Sequence, residues 1–487
     1  MTGVGEHADA WESAGLDPRR ARRVLALTAV GFFITALDFT IVNIAFREIG
    51  DDLDAEPHLL SWTLSGYAIA FAAGLLTAGR MGDAYGRKRF FLIGTAVFTL
   101  GSLFCGVAPS VGVLIAGRVV QALGAALLVP TATALVLPEY PVERRTHVFG
   151  IAAAMGSIAA ALGPVAGGVL TTQLGWRWVF LINLPIGAVT IAVGLRLLRE
   201  SRDPTASRVP DMLGAALAIA SVGLLTLAIV QGEEWGWRSR TELLVVSTAL
   251  VLGVAFVVRC RSSPDPVLDL SLLELRFVSS ANATALLWAM GFYALYFTNV
   301  GWLQEIWGNS AQRSGLLSLP GPVAATVTSI WVSPWLVRFG ARRTVGVGVI
   351  VVGMSGAIFA AVAGVDDEYL TRYLPMIIVG GAGIGCVIPA LSGATNAYLP
   401  ANRFAMGSAL YTTGRQVGAA LGLATVGTLQ AGSPGIDGFH YSYWYIASAM
   451  TLAAVVMLST YRRPSADDLA ASAGTPGEAT AQRTRWS

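Results

Sequence analysis

Residues 79–89 read GRMGDAYGRKR and lie between two apolar runs at residues 59–79 and 90–108. Each run has about 20 residues, the length that an α-helix needs to cross the hydrocarbon core of a bilayer. The stretch between them contains one acid, Asp83, and four basic residues. Because short basic loops mark the cytoplasmic side of a membrane, this stretch predicts two membrane helices joined at the cytoplasmic face.

Similar apolar runs recur outward from this stretch along the whole chain. The chain is 54% hydrophobic and only 13% charged, which fits a surface that meets lipid rather than water. Backbone groups cannot stay unpaired in hydrocarbon, so each run is predicted to be a helix. The fourteen predicted spans are residues 24–46, 59–79, 90–108, 111–135, 148–171, 179–198, 212–231, 242–258, 278–304, 315–337, 344–363, 373–396, 404–428 and 441–461.

The basic residues give this set of spans an orientation. If both termini are cytoplasmic, 25 of the 33 Lys and Arg residues fall on the cytoplasmic side, including Arg196 at the cytoplasmic end of the sixth span, and 6 fall in external segments. The remaining two, Arg118 and Arg415, lie inside spans. This bias is the positive-inside pattern, and it predicts fourteen membrane helices with cytoplasmic termini.

A second stretch resembles the first and suggests two halves. Residues 335–343 (WLVRFGARR) also contain a glycine followed by a basic cluster on the predicted cytoplasmic side. Transporters built from two such halves bind their substrate near the midplane between them. The predicted organisation is a cytoplasmic segment (1–23), a six-helix half (24–198), an inserted helix pair (199–276), a second six-helix half (277–461) and a disordered tail (462–487).

Asp38 lies deep in the first predicted span, within residues 37–43 (LDFTIVN). It follows Arg23 by roughly 22 Å of helix. An ionisable side chain at that depth is costly and indicates a functional site, although a structural acid paired with a basic residue is the alternative. Arg118, in the fourth span beside Gln121, lies at a similar depth and could pair with Asp38 or extend toward the outer interface.

The stretch at 79–89 also suggests a gate. Its candidate residues are Gly79, Asp83, Gly86, Arg87 and Lys88. Asp83 can bond the nearby basic groups or a helix N-terminus, and such a contact can form in one transporter state and break in another. The alternative is that these charges only orient the chain in the membrane.

The fifth span contains a string of small residues. Gly156, Gly163 and Gly167 recur on one helix face, and Pro164 and Gly168 complete a GPxxGG string. Small residues let a neighbouring helix approach closely, and the proline is predicted to bend the helix. Generic membrane-helix packing is the alternative interpretation.

The ninth span contains Trp288, Phe292, Tyr296 and Asn299 on one face. Trp288 is near the predicted midplane, so this face could form a pocket for flat amphiphiles or a bulky stripe that meets lipid. Arg415, in the thirteenth span, is a polar site at mid-depth whose role the sequence leaves open. The three cysteines and four histidines show no metal-ligand spacing, so no metal or other cofactor is expected.

Together these motifs resemble the fourteen-span drug:proton antiporters of the major facilitator superfamily, which are multidrug and quaternary-ammonium efflux pumps. Four of them carry the resemblance: residues 37–43, residues 79–89, Arg118 with Gln121, and residues 163–168. The string at 175–187 (GWRWVFLINLPIG) is also typical of that family. The resemblance implies that Asp38 and Arg118 couple protons to substrate, and that Asp83 and its basic neighbours gate the cytoplasmic side.

The expected function is therefore proton-coupled export of small amphiphilic or cationic compounds across the cytoplasmic membrane of a bacterium. The expected partners are the substrate, protons and the lipid bilayer, with no nucleic acid, and the protein is expected to act as a monomer. A proton-coupled importer of a nutrient is the alternative transporter, and the GPxxGG string argues against it. A membrane receptor or enzyme is a third possibility, but no metal cluster, nucleophile motif or phosphate loop supports an enzyme.

Overall fold

The computed structural model describes residues 16–141, 145–202, 211–263, 266–268, 270–366, 368–396, 399 and 401–462. Within these residues the chain forms helices joined by short turns and contains no strand. The predicted all-α fold is therefore confirmed. Most of the predicted N-terminal segment and the predicted tail after residue 462 lie outside the described residues.

The helices are numbered in chain order. The first group is α1 (Pro18–Leu53), α2 (Pro57–Tyr85), α3 (Arg87–Gly106), α4 (Val111–Val136), α5 (Arg145–Leu174), α6 (Trp178–Leu181) and α7 (Asn183–Leu197). Two helices follow, α8 (Met212–Trp235) and α9 (Arg240–Ser262). The last group is α10 (Arg276–Gly301), α11 (Ala311–Ser318), α12 (Pro320–Val362), α13 (Leu374–Asn396), α14 (Ala401–Gly432) and α15 (Ile436–Thr460). Single helical turns cover Leu137–Glu139, Leu270–Glu274, Trp302–Ile306 and Tyr369–Tyr373.

Every predicted span falls on one or two of these helices. Among the described residues, ten helical segments are long and apolar enough to cross a membrane. The two bent parts of α2, His58–Ala72 and Thr77–Tyr85, add an eleventh if they form one span. The chain is thus polytopic, while the count of fourteen spans and the cytoplasmic termini remain predictions.

The stretch that joins α2 to α3 is shorter than the sequence predicts. Helix α2 continues through Tyr85, so Gly79 and Gly82 are helical and Gly86 alone makes the turn, with φ +128°. A Cβ on Gly82 would lie 2.6 Å from Thr131 Cγ2 of α4, so this glycine serves close helix packing rather than a turn. The second stretch turns in the same way, because Gly340 interrupts α12 with φ +75°.

The first and last helix groups contact each other reciprocally. Helix α2 packs against α14, and α5 packs against α11. By predicted span order, each contact joins the second span of one group to the fifth span of the other. A pair of equivalent contacts is what two related halves would produce.

The two middle helices lie at the side of this bundle. Helix α8 packs against α2 and α14, and Thr428 Oγ1 of α14 donates to Ile229 O at 2.9 Å. Helix α9 packs mainly on α8, and only 11% of its apolar window is buried. Such an apolar, exposed helix is suited to contact with lipid.

Candidate functional site

Asp38 of α1 and Arg118 of α4 form an ion pair in the interior of the first helix group. The Arg118 guanidinium donates to Asp38 Oδ2 at 2.5 Å, and both side chains are 0% exposed. The depth match in the sequence therefore corresponds to direct contact, and Arg118 does not extend toward the interface. An isolated charge at this position would be costly, so each group depends on the other.

Neutral polar side chains surround the Asp38 carboxylate. Gln121 Nε2 donates to Asp38 Oδ1 at 2.6 Å, and Asn183 Nδ2 lies 3.3 Å from the same oxygen. Ser102 Oγ accepts from Gln121 at 2.7 Å and from Asn183 at 3.2 Å. A Cβ on Gly101 would lie 2.6 Å from Gln121 Cα, so glycine at that position lets α3 approach α4 closely enough for these bonds.

Arg118 has further contacts that hold its orientation. Its Nε donates to Thr63 O of α2 at 3.0 Å, and its Nη1 also donates to Gln121 Oε1 at 2.7 Å. The Tyr67 ring lies 4.1 Å from the guanidinium carbon, in the range of a cation–π contact. Arg118 of α4 therefore links α1 and α2 through one charged group. A change in the charge of Asp38 would alter the contacts among all three helices.

The small residues of α5 serve two different helix contacts. A Cβ on Gly163 would lie 2.0 Å from Thr40 Oγ1, and one on Gly167 would lie 3.0 Å from Ile41 O, both on α1. A Cβ on Gly168 would lie 2.5 Å from Ala311 O of α11. Pro164 lies inside α5, and its carbonyl oxygen would be 2.0 Å from a Cβ on Gly315 of α11.

Gly156 differs from the other glycines of this string. Although the sequence places it on the face of Gly163 and Gly167, a Cβ on Gly156 would meet no atom within 4 Å. The close packing of α5 on α1 thus leaves out Gly156 and is present by Ala159, whose carbonyl oxygen accepts from Thr40 Oγ1 at 3.3 Å.

The gate residues lie around the turn at Gly86. Arg87 Nε donates to Asp83 Oδ1 at 2.7 Å, and both side chains are partly exposed. The N-terminus of α3 is capped by Glu200, whose carboxylate accepts from the backbone N–H of Lys88 at 3.0 Å and of Arg89 at 3.2 Å. Lys88 Nζ also donates to Leu195 O at 2.8 Å. Asp83 therefore pairs with Arg87, one helical turn away. Glu200, which is distant in the sequence, holds the backbone of Lys88 and Arg89 in place.

The predicted aromatic face of α10 points into the protein. Trp288 is 2% exposed and stacks on Phe292, with ring centroids 5.3 Å apart. Tyr296 lies one turn further along. Asn299 Oδ1 accepts from the Tyr443 hydroxyl at 2.8 Å, so this residue binds within the last helix group. For Trp288 the interpretation as a lipid-facing residue is wrong, because neighbouring helices cover its ring.

Arg415 of α14 lies at the boundary between the two helix groups. Its Nη2 donates to the Tyr293 hydroxyl at 3.2 Å, and the Tyr411 ring lies 5.6 Å from its guanidinium carbon. The Tyr293 ring in turn meets the edge of Phe39 of α1 at 4.8 Å. Phe39 directly follows Asp38, which pairs with Arg118. The rings of Tyr293 and Phe39 therefore connect Arg415 to the helix segment that contains Asp38.

The sequence did not identify two members of the Asp38 network. Ser102 carries no motif signal, and Asn183 lies in the string at 175–187, to whose members the sequence analysis assigns no role. An amide at the start of α7, inside an otherwise apolar run, is the signal that could have indicated Asn183. Among the described residues, no group of three or more His, Cys, Asp or Glu side chains is placed to hold a metal ion.

Comparison with known proteins identifies a family. The family model described as Major Facilitator Superfamily matches residues 28–423, with a further match over 281–485. The multidrug resistance protein Stp of Mycobacterium tuberculosis is 33% identical over 413 residues, which cover 84% of this chain and 75% of that protein. The cephamycin export protein CmcT of Amycolatopsis lactamdurans is 32% identical over 449 residues, covering 90% of this chain and 92% of that protein. The methylenomycin A resistance protein of Bacillus subtilis is 30% identical over 436 residues, covering 89% and 93%.

Solved structures share the fold at lower identity. The POT family transporter PepTSo has a TM-score of 0.66 and 15% identity, covering 91% of this chain and 97% of that chain. The peptide transporter POT in complex with sulfate has a TM-score of 0.64 and 17% identity, covering 93% and 97%. At these identities the likeness concerns the fold.

Proposed function

Since this chain belongs to the Major Facilitator Superfamily and is a multi-pass membrane transporter, we propose that it uses a proton gradient to export small amphiphilic compounds. The proposed location is the cytoplasmic membrane of a bacterium, and the proposed unit is the monomer. The observation that carries the proposal is the fully buried ion pair of Asp38 and Arg118. A carboxylate that deep is a natural proton carrier, because its charge is tolerated only while its partner stays in place.

The outward direction is supported by the relatives. Proteins about 30% identical over most of this chain are named for drug resistance or antibiotic export. The close contact of Gly163 and Gly167 with α1 joins the GPxxGG string to the helix that contains Asp38. A protonation change at Asp38 could therefore alter how α5 packs on α1.

The proposed transport cycle is alternating access between two six-helix halves, residues 24–198 and 277–461. The halves touch at the end of α1 that lies far from Gly86, where Arg47 Nη1 donates to Gln304 O at 2.5 Å and Gln304 Nε2 donates to Ile44 O at 2.9 Å. The contact between α5 and α11 also joins the two halves. We propose that this face is external and closed, and that the turn at Gly86, with the Asp83–Arg87 pair, gates the cytoplasmic face.

Protonation of Asp38 would remove the negative charge that holds Arg118. The guanidinium would then keep only neutral acceptors, Thr63 O and Gln121 Oε1. Neutral hydrogen bonds are weaker than charge-assisted ones, so α1 would be freed to move against α4. Glu305, in the turn after α10, is the runner-up proton carrier, because desolvation raises the pKa of its carboxyl despite the opposing charge of Arg47.

The test is transport in proteoliposomes. When a proton gradient is imposed, wild-type protein is expected to transport compounds from a panel of amphiphilic drugs in the direction opposite to proton flow. Asp38→Asn is expected to lose this gradient-driven transport while it keeps its helical content. The control is Asp52→Asn on the same helix, where an exposed carboxylate accepts from Arg177 at 2.7 Å. If Asp38→Asn transports as well as Asp52→Asn, the proposal fails and Glu305 becomes the residue to test.

A further inference from the structure

The two arginines inside predicted spans, Arg118 and the half-buried Arg415, differ in whether a carboxylate neutralises them. Arg118 is paired with Asp38. Arg415 has no carboxylate within 4.0 Å among the described residues, and it interacts with the Tyr293 hydroxyl at 3.2 Å and with both the ring and the hydroxyl of Tyr411. Asp38 is the only acid well inside a predicted span. Its two oxygens already accept from residues of the first helix group, so no carboxylate remains for Arg415.

An unpaired cation in this position favours an anionic ligand. A charge held away from bulk water is costly unless a counter-charge reaches it. A guanidinium carries five N–H groups in a planar fork, which matches the two oxygens of a carboxylate. Bonding to a tyrosine hydroxyl uses only part of that capacity.

The surroundings of Arg415 add flat apolar surfaces. Tyr293 meets Phe292 edge-on at 5.1 Å, and Phe292 stacks on Trp288 at 5.3 Å. On the other side, Tyr293 meets Phe39 of α1. A row of rings thus runs from α10 to the helix that contains Asp38, and such rings suit a flat or aromatic ligand body.

We propose that the substrates of this exporter carry an anionic group, a carboxylate or a comparable acidic oxygen, which binds Arg415 while the ring body packs against Phe39, Phe292 and Tyr293. The inference rests on the proposed export function and refines its substrate class. The sequence analysis expects amphiphilic or cationic compounds, and a cationic substrate would need access to the Asp38 carboxylate. In the structure Asp38 is fully buried beneath Arg118, Gln121 and Asn183, so a cation would have to displace Arg118 to reach it.

The test compares three probes with one ring system and different charge, namely 2-naphthoate, 2-naphthamide and 2-naphthylmethylammonium. Binding to purified full-length protein is measured by titration calorimetry. Wild-type protein is expected to bind 2-naphthoate at least tenfold more tightly than the amide or the ammonium compound. Arg415→Gln is expected to abolish this preference by weakening 2-naphthoate binding more than amide binding, and Arg415→Lys to retain part of it.

One control variant and one transport measurement separate charge recognition from folding and from the transport activity. Arg372→Gln removes an arginine that pairs with Glu368 at 2.5 Å near the start of α13, and it is expected to leave the preference intact. Equal binding of the acid and the amide by wild-type protein, or an equal loss of both in Arg415→Gln, would overturn the assignment. Proton-driven transport of panel compounds that persists in the absence of any preference for acids would sink this inference alone and leave the proposed function standing.

Discussion

Arg118 and Arg415 are both arginines in the middle of membrane helices, yet their environments differ. Arg118 is fully buried and bonds a carboxylate, an amide oxygen and a backbone oxygen. Arg415 is half-buried and contacts two tyrosines. We propose that this difference separates their roles: Arg118, whose counter-charge is built in, serves structure and coupling, whereas Arg415 binds a counter-charge that arrives with a ligand.

The prediction with the largest expected effect compares how much each of the two arginines contributes to the free energy of unfolding. Arg118→Ala leaves Asp38 buried without its counter-charge and is expected to lower the free energy of unfolding by about 3–5 kcal/mol. Arg415→Ala removes a charge that has no carboxylate partner, so its effect is expected to stay below about 1 kcal/mol. Thermal unfolding in detergent measures both. Equal losses would contradict the distinction between the two arginines.

A second prediction concerns the helix contact that holds the two groups together. Gly315→Ala places a methyl group against Pro164 O and is expected to cost about 1–3 kcal/mol in the described conformation. The contact between α5 and α11 should therefore open more often. Labelling of a cysteine introduced at Thr172, whose hydroxyl accepts from Gln312 N at 3.3 Å, reports this opening.

The matched control for that contact is Gly156→Ala, because a Cβ at Gly156 meets no atom within 4 Å. It is expected to leave the labelling rate unchanged. If both alanine variants label at the wild-type rate, α5 and α11 do not form the closing contact.

A third prediction removes one supporting residue from each arginine site. Asn183→Ala deletes hydrogen bonds to Asp38 and Ser102, and the expected loss is about 1–3 kcal/mol because buried polar groups are left unpaired. Tyr293→Phe deletes one hydroxyl beside Arg415, with an expected loss of about 0.5 kcal/mol, the low end for one hydrogen bond. Only Tyr293→Phe is expected to weaken 2-naphthoate binding, by a few fold. A weaker binding of the probe in Asn183→Ala would show that the two sites are not separate.

The smallest expected effect is at the gate. Asp83→Asn breaks a partly exposed pair with Arg87 and is expected to change stability by about 0.2–1 kcal/mol. Cysteine accessibility at the two faces should shift although the fold is retained. Unchanged accessibility together with unchanged transport would leave the Asp83–Arg87 pair with no gating role.

Several features could be predicted from the sequence because membrane physics constrains them strongly. Apolar runs must be helical in hydrocarbon, and helices cover every predicted span. The shared depth of Asp38 and Arg118 leaves two alternatives, a pair or an Arg118 that extends toward the outer interface, and the structure brings the two charges into contact. The GPxxGG string indicated close packing, and Gly163, Gly167 and Gly168 make it.

Other features depend on which helices are neighbours, and one sequence does not encode that directly. The sequence predicts that residues 79–89 join two helices, but α2 extends through Tyr85 and its Gly82 packs against Thr131. The side of α10 that contains Trp288 was ambiguous, because helical periodicity shows that residues share a face but not what covers it. Ser102 and Asn183 were missed for the same reason, since their role arises only where α3, α4 and α7 meet α1.

Substrate-induced proton release from detergent-solubilised protein tests the central claim, that Asp38 is the proton carrier, most directly. A compound from the transport panel is added in weakly buffered solution while binding is monitored by calorimetry. Wild-type protein and Asp52→Asn are expected to release protons on binding, whereas Asp38→Asn is expected to bind the compound and release none. Full proton release by Asp38→Asn would contradict the account.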